Sequence, residues 1–318
     1  MKRTAIVAAV GMVLTAGIVG VLASVPTSGE EGVVRYDRES RYYRIRVLDY
    51  PALGRRCLHF SKSRGIQSSM MLADPTGLDL RYSRTMMAAL GLKPEARDVL
   101  LVGLGGASIP KFIQARFPDI RLDVVEIDPD VVRVCQEYFE FRGTPNTRVI
   151  VMDGRVYLKR CAKAYDIILL DAYAADHVPF HLTTLEFLEL VRGRLKAGGL
   201  AVSNLWEQQI NRFYLAELRT FQETFPQTYL LKAGTSGNVV VFGDMKPQPT
   251  PRDAWTRLAA RLEEGRDFGF DLSALVAEEY SYLTGRRIVE RPLTDDMAPV
   301  NTMRHEHPAH FEPPAGER

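Results

Sequence analysis

The stretch from residue 98 to residue 128 constrains the fold more than any other part of the sequence. It begins with the apolar run DVLLV at 98–102, continues into the glycine-rich segment GLGGAS at 103–108 and, after an amphipathic stretch, reaches LDVVEID at 122–128. Short apolar runs bounded by turn residues are typical of strands buried on both faces, as in parallel sheets. The stretch therefore predicts a strand, a glycine turn, a helix and a second strand with an acidic end.

The glycine turn and the acid behind it predict a nucleoside-bearing ligand. Glycines lack a Cβ atom where the backbone approaches a ligand, and a helix that begins near Ser108 directs its amide groups at the same space. Glu126 follows the glycines by about twenty residues, where an acidic side chain accepts both hydroxyls of a ribose. Glycine also serves tight strand-to-helix turns for steric reasons alone, so the turn by itself does not decide between the two roles.

Acidic residues also follow the next two predicted strands. Asp153 and Gly154 come after the apolar residues 149–151, and Asp171 comes directly after residues 165–170. In an open parallel sheet the ligand crevice lies at the carboxyl ends of the strands. We therefore expect these acids to converge with the glycine turn on one cleft.

The alternation of strands and helices after residue 98 predicts an α/β fold. Right-handed crossovers then give a seven-stranded, mostly parallel sheet. The last two strands are joined by a hairpin-like connection, which predicts an antiparallel pair at the end of the sheet. The predicted strands are 98–103, 121–127, 147–151, 165–171, 199–204, 227–232 and 238–243.

The segments on either side of the sheet have simpler patterns. Residues 39–48 alternate in polarity and predict a half-exposed strand, which joins a second strand at 56–60 in a small antiparallel β unit. Residues 80–92 have helical spacing and lead into the sheet. After a proline-rich linker, helices are predicted around 252–264 and 272–284.

The first residues predict a membrane segment. Residues 4–23 carry no charge and follow Lys2 and Arg3, and the run is just long enough to cross the hydrocarbon core of a bilayer. Small residues at its end resemble a signal-peptide cleavage site, so both a transmembrane anchor and a signal peptide are open. The basic start and the acidic pair Glu30 and Glu31 place the following domain outside the cytoplasm.

These patterns divide the chain into four parts. A signal peptide or transmembrane anchor occupies 1–24, and 25–96 holds a tether, the small β unit and the linking helix. The Rossmann-like domain that binds an S-adenosyl nucleoside occupies 97–246. A helical extension and tail follow at 247–318.

Composition excludes other classes of function. The chain has 318 residues, 46% of them hydrophobic, and a formal net charge of +2. Without a basic stripe or interleaved aromatic residues, nucleic-acid binding is not expected. The cysteines, Cys57, Cys135 and Cys161, do not have metal-ligand spacing, and we expect no metal.

A set of motifs spread over about residues 34 to 245 occurs in a recognisable order: Glu39-Ser40, Tyr42 or Tyr43, Ile45-Arg46-Val47, Gln67, Tyr82, 103–106, 125–128, Asp153-Gly154 and 165–171. This combination resembles the spermidine synthase family of polyamine aminopropyltransferases, which have a class I methyltransferase-like Rossmann fold. Asp176, the segment HLT at 181–183 and the late LTDD at 293–296 are more similar to the divergent, membrane-associated branch of that family.

The resemblance implies a site and a reaction. An aminopropyl group would pass from decarboxylated S-adenosylmethionine to a di- or polyamine, with Asp171 as the base and no metal. The residues implied for the nucleoside are Gly103, Gly105, Gly106, Glu126, Asp153, Gly154 and Gln67. Those implied for the amine are Tyr82, Tyr173 and Asp176. The expected partners are this small-molecule amine, the membrane around the first segment and a possible homodimer.

Two departures from the family pattern leave the donor open. Typical members carry an aspartate in the glycine turn that holds the amine of the donor, whereas segment 103–108 contains no acid. The histidine that usually follows the helix tyrosine is also absent, because Ser83 follows Tyr82. One alternative is an S-adenosylmethionine-dependent methyltransferase on the same fold. Another is a catalytically silent, membrane-tethered protein that binds a polyamine or a nucleoside.

Overall fold

A computed structural model describes residues 32–60, 65–172, 179–286 and 288–297. The first part of the chain that it describes forms a four-stranded antiparallel sheet. The strands lie in the order β1–β2–β3–β4 and have these bounds: β1 Val33–Glu39, β2 Arg44–Tyr50, β3 Arg55–Phe60 and β4 Ser68–Met71.

The small antiparallel unit is present, but its first strand differs from the prediction. The single strand expected over 39–48 is wrong, because residues 40–43 form a turn closed by the Ser40 amide and the Tyr43 carbonyl at 2.7 Å. The Ser40 hydroxyl also accepts from the Tyr43 amide. Such local side-chain bonds compete with strand pairing and favour a turn.

Two short helices connect this sheet to the main one: α1 Arg81–Met86 and α2 Ala88–Leu92. The prediction of one continuous helix over 80–92 is wrong at Met87, where the two helices are separated. The predicted end at Leu92 is confirmed.

The main sheet has eight strands in the order β7–β6–β5–β8–β9–β11–β10–β12. The first five of these run parallel, and the last three are antiparallel to their neighbours. The strand bounds are β5 Asp98–Val102, β6 Arg121–Glu126, β7 Thr147–Val151, β8 Tyr165–Leu170, β9 Leu195–Trp206, β10 Gln227–Lys232, β11 Asn238–Asp244 and β12 Tyr280–Tyr282.

Helices connect these strands: α3 Ser108–Arg116, α4 Pro129–Tyr138, α5 Gly154–Arg160, α6 Leu185–Gly193, α7 Tyr214–Thr224, α8 Arg252–Glu263 and α9 Leu272–Glu279. The predicted α/β class and the antiparallel strand pair are confirmed. The predicted helix over 272–284 is too long, because α9 ends at Glu279. The chain then adds an eighth strand to the edge of the sheet.

The two faces of the main sheet are covered by separate apolar layers. On β5, Val99 and Leu101 point into one layer, and Leu100 and Val102 point into the other. This alternation results from the two-residue period of a strand. Because both faces are buried, every residue of β5 is apolar except the first.

The described residues contain no helix that is long and apolar enough to cross a membrane. The hydrophobic run 4–23, on which the predicted anchor or signal peptide depends, lies outside the described residues.

Candidate active site

Four neighbouring strands end at the same edge of the sheet and carry the predicted site residues. Val102 of β5 pairs with Val125 of β6 on one side and with Leu170 of β8 on the other. Glu126 pairs with Val151 of β7. The glycine turn, Glu126, Asp153 and Asp171 therefore lie at adjacent strand ends along one edge of the sheet, where open parallel sheets bind their ligands.

The glycine turn brings two backbones closer than a side chain would permit. Gly103 has φ of +100°, and a Cβ added there would lie 2.4 Å from the carbonyl oxygen of Asp171. A Cβ at Gly106 would lie 2.7 Å from the Ser68 hydroxyl oxygen, and Gly105 has φ of +53°. Glycine is required at Gly103 both for its backbone conformation and for this contact.

Glu126 is buried directly behind the turn, with 7% of its surface exposed. One carboxylate oxygen accepts from the Leu104 amide at 2.9 Å, and the other accepts from the Asp128 amide at 2.9 Å. Burial raises the pKa of Glu126, and these backbone donors oppose the shift. The two bonds fix the carboxylate beside the backbone of the glycine turn.

Asp153 begins α5 and has a partner on each oxygen. Its Oδ1 accepts from the Val156 amide at 2.9 Å, and its Oδ2 lies 2.8 Å from Nε2 of His181. The bond with His181 is the main cause of the lowered pKa of Asp153. Gly154 allows α5 to approach β5, because a Cβ there would lie 2.4 Å from Cγ1 of Val102.

Asp171 lies at the end of β8, partly buried, and has a pKa raised to about 7. Desolvation causes the increase, while hydrogen bonds from Asn204 and Tyr82 lower the pKa. The Asn204 amide nitrogen donates to Oδ1 of Asp171 at 3.0 Å. Desolvation also holds the pKa of the Tyr82 hydroxyl well above its ordinary value, and the facing carboxylate adds to this.

Residues of the amino-terminal sheet and of α1 lie next to the glycine turn and Asp171. The Tyr82 hydroxyl lies 3.4 Å from the carbonyl oxygen of Gln67, so the described contact of Gln67 here is through its backbone. The Ser68 and Ser108 hydroxyls are 3.2 Å apart. Tyr173 and Asp176, both predicted to bind the amine, lie outside the described residues.

The carboxyl-terminal segment adds residues that sequence reasoning did not assign. The Arg155 guanidinium binds both carboxylate oxygens of Asp295, and it also donates to the His181 carbonyl at 3.1 Å. Thr184 donates to the same carboxylate at 2.8 Å. From the sequence, capping of the final segment and a place at the cleft mouth are both open for Asp295 and Asp296. The one sequence feature that indicates the ion pair is the position of Arg155 directly after Asp153-Gly154.

Asn204 and Asn238 were also not predicted as site residues. They come from two strands far apart in the chain, so only the register of β9 against β11 brings them together. Within the described part of the chain, no group of three or more His, Cys, Asp or Glu side chains is arranged to hold a metal ion.

Comparison with known proteins places this geometry in a class. A probable spermidine synthase from Corynebacterium glutamicum has the same fold, with a TM-score of 0.61 and 21% identity, and the match covers 72% of this chain and 92% of that one. Human methyltransferase-like protein 13, solved in complex with SAH, matches with a TM-score of 0.53 and 26% identity over 58% of this chain and 91% of that one. The chain is therefore an α/β protein with a class I methyltransferase-like Rossmann fold.

Sequence relatives define the family within this class. The profile of the spermine/spermidine synthase domain matches residues 80–233. The polyamine aminopropyltransferase of Chromobacterium violaceum is 33% identical over 225 residues, 70% of this chain and 84% of the relative. That of Vibrio vulnificus is 29% identical over 289 residues, 88% of this chain and 94% of the relative. The chain belongs to the spermine/spermidine synthase family and is a transferase.

Proposed function

We propose that this transferase moves an aminopropyl group from decarboxylated S-adenosylmethionine to a di- or polyamine, with Asp171 as the base. The observation that carries the proposal is the carboxylate of Asp171 at the strand end beside the glycine turn, with a pKa near 7. The aminopropyltransferase names of the sequence relatives support the same reaction.

The chemistry needs a base and alignment more than it needs a reactive protein group. The amine nitrogen attacks the methylene carbon next to the sulfonium, a C–N bond forms, and the C–S electrons pass to sulfur as methylthioadenosine leaves. The donor carries its own leaving group, so the protein aligns the two reactants. The amine is protonated at neutral pH, and Asp171 would take that proton. A carboxylate with a raised pKa accepts it more readily than an ordinary one.

We assign the remaining residues by their places around the cleft. Glu126 would accept hydrogen bonds from the ribose hydroxyls. Asp153 would accept a hydrogen bond from the exocyclic amine of adenine on a remaining lone pair, since a carboxylate has more acceptor sites than its contacts with Val156 and His181 use. The glycines at 103, 105, 106 and 154 would let the backbone approach the donor, together with Gln67. Tyr82, Tyr173 and Asp176 would bind the amine.

A methyltransferase is the second candidate, and a specific observation favours it. The glycine turn carries no acid to select the free amine of the decarboxylated donor, so the carboxylate of intact S-adenosylmethionine meets no acid in that turn. The structural likeness to a methyltransferase-like protein agrees with this alternative. For the run 4–23 we retain the proposal of a membrane anchor or signal peptide.

The reaction products separate these candidates. We would incubate the full chain in mild detergent with putrescine and either donor, and follow methylthioadenosine and S-adenosylhomocysteine by chromatography. We expect methylthioadenosine from the decarboxylated donor. Asp171→Asn should lower turnover by about a hundredfold or more because the base is lost, with little change in affinity for methylthioadenosine.

Asp253→Asn is the matched control, since Asp253 is an exposed residue of α8. S-adenosylhomocysteine as the product would favour the methyltransferase instead. If Asp171→Asn turned over as fast as the control, Asp171 would not be the base.

A further inference from the structure

Two side-chain amides extend from Asp171 across the antiparallel part of the sheet. Asn204 of β9, with 5% of its surface exposed, donates through Nδ2 to Oδ1 of Asp171 at 3.0 Å. Its own Oδ1 accepts from Nδ2 of Asn238, the first residue of β11, at 3.1 Å. Because Val240 is the direct partner of Asn204, Asn238 is its diagonal neighbour on the same face.

The direction of these two bonds is fixed by the chemistry of the amide group. One end of an asparagine side chain donates hydrogen bonds, and the other end only accepts them. If the Asn204 amide were reversed, its oxygen would face the Asp171 carboxylate and its NH₂ would face the NH₂ of Asn238. The first contact would then pair two acceptors, and the second would pair two donors. With its own NH₂ group directed at Asn204, Asn238 disfavours the reversed orientation of Asn204 without a hydrogen bond to Asp171.

We propose that Asn238 is a positioning residue, which holds Asn204 with its NH₂ towards Asp171 and thereby keeps that carboxylate ionised and oriented to accept a proton from the bound amine. The inference rests on the proposed function, because it assigns a purpose to the ionised form of Asp171. Asn238 itself acts through Asn204.

The electrostatics of the site agree with this role. Among the residues that the structure describes, the titratable Tyr82 of α1 and the neutral Asn204 of β9 donate hydrogen bonds to Asp171. The pKa of Asp171 is raised to about 7 by desolvation, and the Asn204 donor is one of two groups that lower it. Loss of the Asn204 donor would raise the pKa of Asp171 further, because less would oppose desolvation. The Asp171 carboxyl group would then stay protonated to higher pH.

Two variants of Asn238 test the proposal. Asn238→Asp offers only acceptors, so the Asn204 amide should reverse, and Asn238→Leu removes the donor without adding charge. We expect the acidic limb of the pH profile of kcat/KM for putrescine to move up by about one pH unit in Asn238→Asp, and in the same direction but less in Asn238→Leu. Affinity for methylthioadenosine should change less than about threefold.

Asn146→Asp is the matched control, because Asn146 is an exposed residue before β7. It introduces the same charge away from Asp171, and its profile should overlay that of the unaltered chain. A limb that stays in place in both Asn238 variants, with turnover lowered equally at all pH values, would overturn the proposal. A shift in Asn238→Asp alone would also overturn it, since charge and not amide orientation would be the cause.

A readout without turnover separates this inference from the proposed function. In protein labelled with ¹³C at aspartate carboxyl carbons, the Asp171 signal is assigned by its absence in Asp171→Asn, and its titration is followed by NMR. We expect a midpoint near 7 that rises in both Asn238 variants. Unchanged midpoints would contradict the positioning role even if the chain proves to be a methyltransferase. If the unaltered chain did not turn over putrescine but the NMR midpoints shifted as expected, only the proposed aminopropyl transfer would be contradicted.

Discussion

Gly103 shows how one residue can hold two parts of the site together. Its amide donates to the Val125 carbonyl at 2.8 Å, and the backbone of Asp171 lies against its α-carbon. The atoms that crowd Gly103 belong to the main chain of Asp171, so they cannot rotate aside as a flexible side chain would. The position of the proposed base therefore depends on the absence of one methyl group.

Replacing Gly103 by alanine should damage both stability and catalysis. The added Cβ would stand 2.4 Å from the Asp171 carbonyl oxygen at φ of +100°. We expect the free energy of unfolding to fall by about 2–4 kcal/mol and turnover to fall by at least tenfold. Urea unfolding and the product assay measure these effects.

Gly143→Ala is the control for this change. Nothing lies within 4 Å of a Cβ built at Gly143. Its free energy of unfolding should change by less than about 0.5 kcal/mol. Equal effects from the two substitutions would show that the close approach at Gly103 does not matter.

At the residue scale, the sequence predicts which proposed site residues lie at strand ends, and it misses the contacts that form across strands. Glu126, Asp153 and Asp171 could be placed because each lies at the end of an apolar run. Asn204 and Asn238 lie within strands, and nothing in their local sequence distinguishes them from other polar residues. Their meeting depends on the register of β9 against β11, which is set by long-range packing.

At the scale of elements, the carboxyl-terminal segment is fastened to the start of α5. Asp295 binds the Arg155 guanidinium through both oxygens, and the Leu293 carbonyl accepts from the Leu185 amide at 2.7 Å. Arg155 also donates a hydrogen bond to the His181 carbonyl, and Nε2 of the His181 ring lies 2.8 Å from Oδ2 of Asp153. The last described residues are therefore linked through Arg155 to His181, the partner of Asp153.

Removing the Asp295 carboxylate should weaken nucleoside binding. In Asp295→Ala, the Arg155 guanidinium loses its two-point contact and is held less firmly against the His181 carbonyl. We expect the Kd of methylthioadenosine, measured by calorimetry, to rise by about three- to tenfold, since partly exposed ion pairs contribute modestly. Asp296→Ala replaces an exposed neighbour and should leave the Kd within about twofold. If both variants bound alike, the Asp295 carboxylate would not contribute to nucleoside binding.

Element boundaries were predicted less well than element types. The strand and helix alternation after residue 98 is indicated by strong apolar runs. The edge strand β12, in contrast, has three residues and continues the pattern of α9 without a break. Pairing with β10 decides its structure, and local sequence does not contain that information.

At the scale of the whole molecule, one buried acid couples folding to pH. Glu217 of α7 is 3% exposed, and its oxygen accepts from the Asn211 amide at 2.9 Å. Desolvation raises its pKa to about 8. Its ordinary pKa is near 4.5, so the unfolded chain releases this proton at much lower pH than the folded chain does.

Glu217→Gln should therefore change how stability depends on pH. Below about 4.5 the acid is neutral in both states and has no effect. Between about 4.5 and 8 the unfolded state ionises first, so the free energy of unfolding of the unaltered chain falls as pH rises. At pH 8 the free energy of unfolding of Glu217→Gln should therefore exceed that of the unaltered chain by on the order of a few kcal/mol.

Urea unfolding at pH 5 and at pH 8 measures this difference. Glu223→Gln is the control, since Glu223 lies on the same helix, pairs with Arg219 and is partly exposed. Its difference from the unaltered chain should be nearly the same at both pH values. A difference for Glu217→Gln that also stays constant with pH would contradict the raised pKa.

The apolar layer on one face of the main sheet has a consequence for protein engineering. This single layer contains Ile45 and Leu58 from the first sheet, Leu101 from β5, and Trp255 from α8, whose ring nitrogen donates to the Ala88 carbonyl. A chimera that imports the amino-terminal sheet from another family member would bring side chains shaped for a different set of neighbours. Exchange of this sheet alone should therefore disturb the shared layer and lower the free energy of unfolding of the chimera.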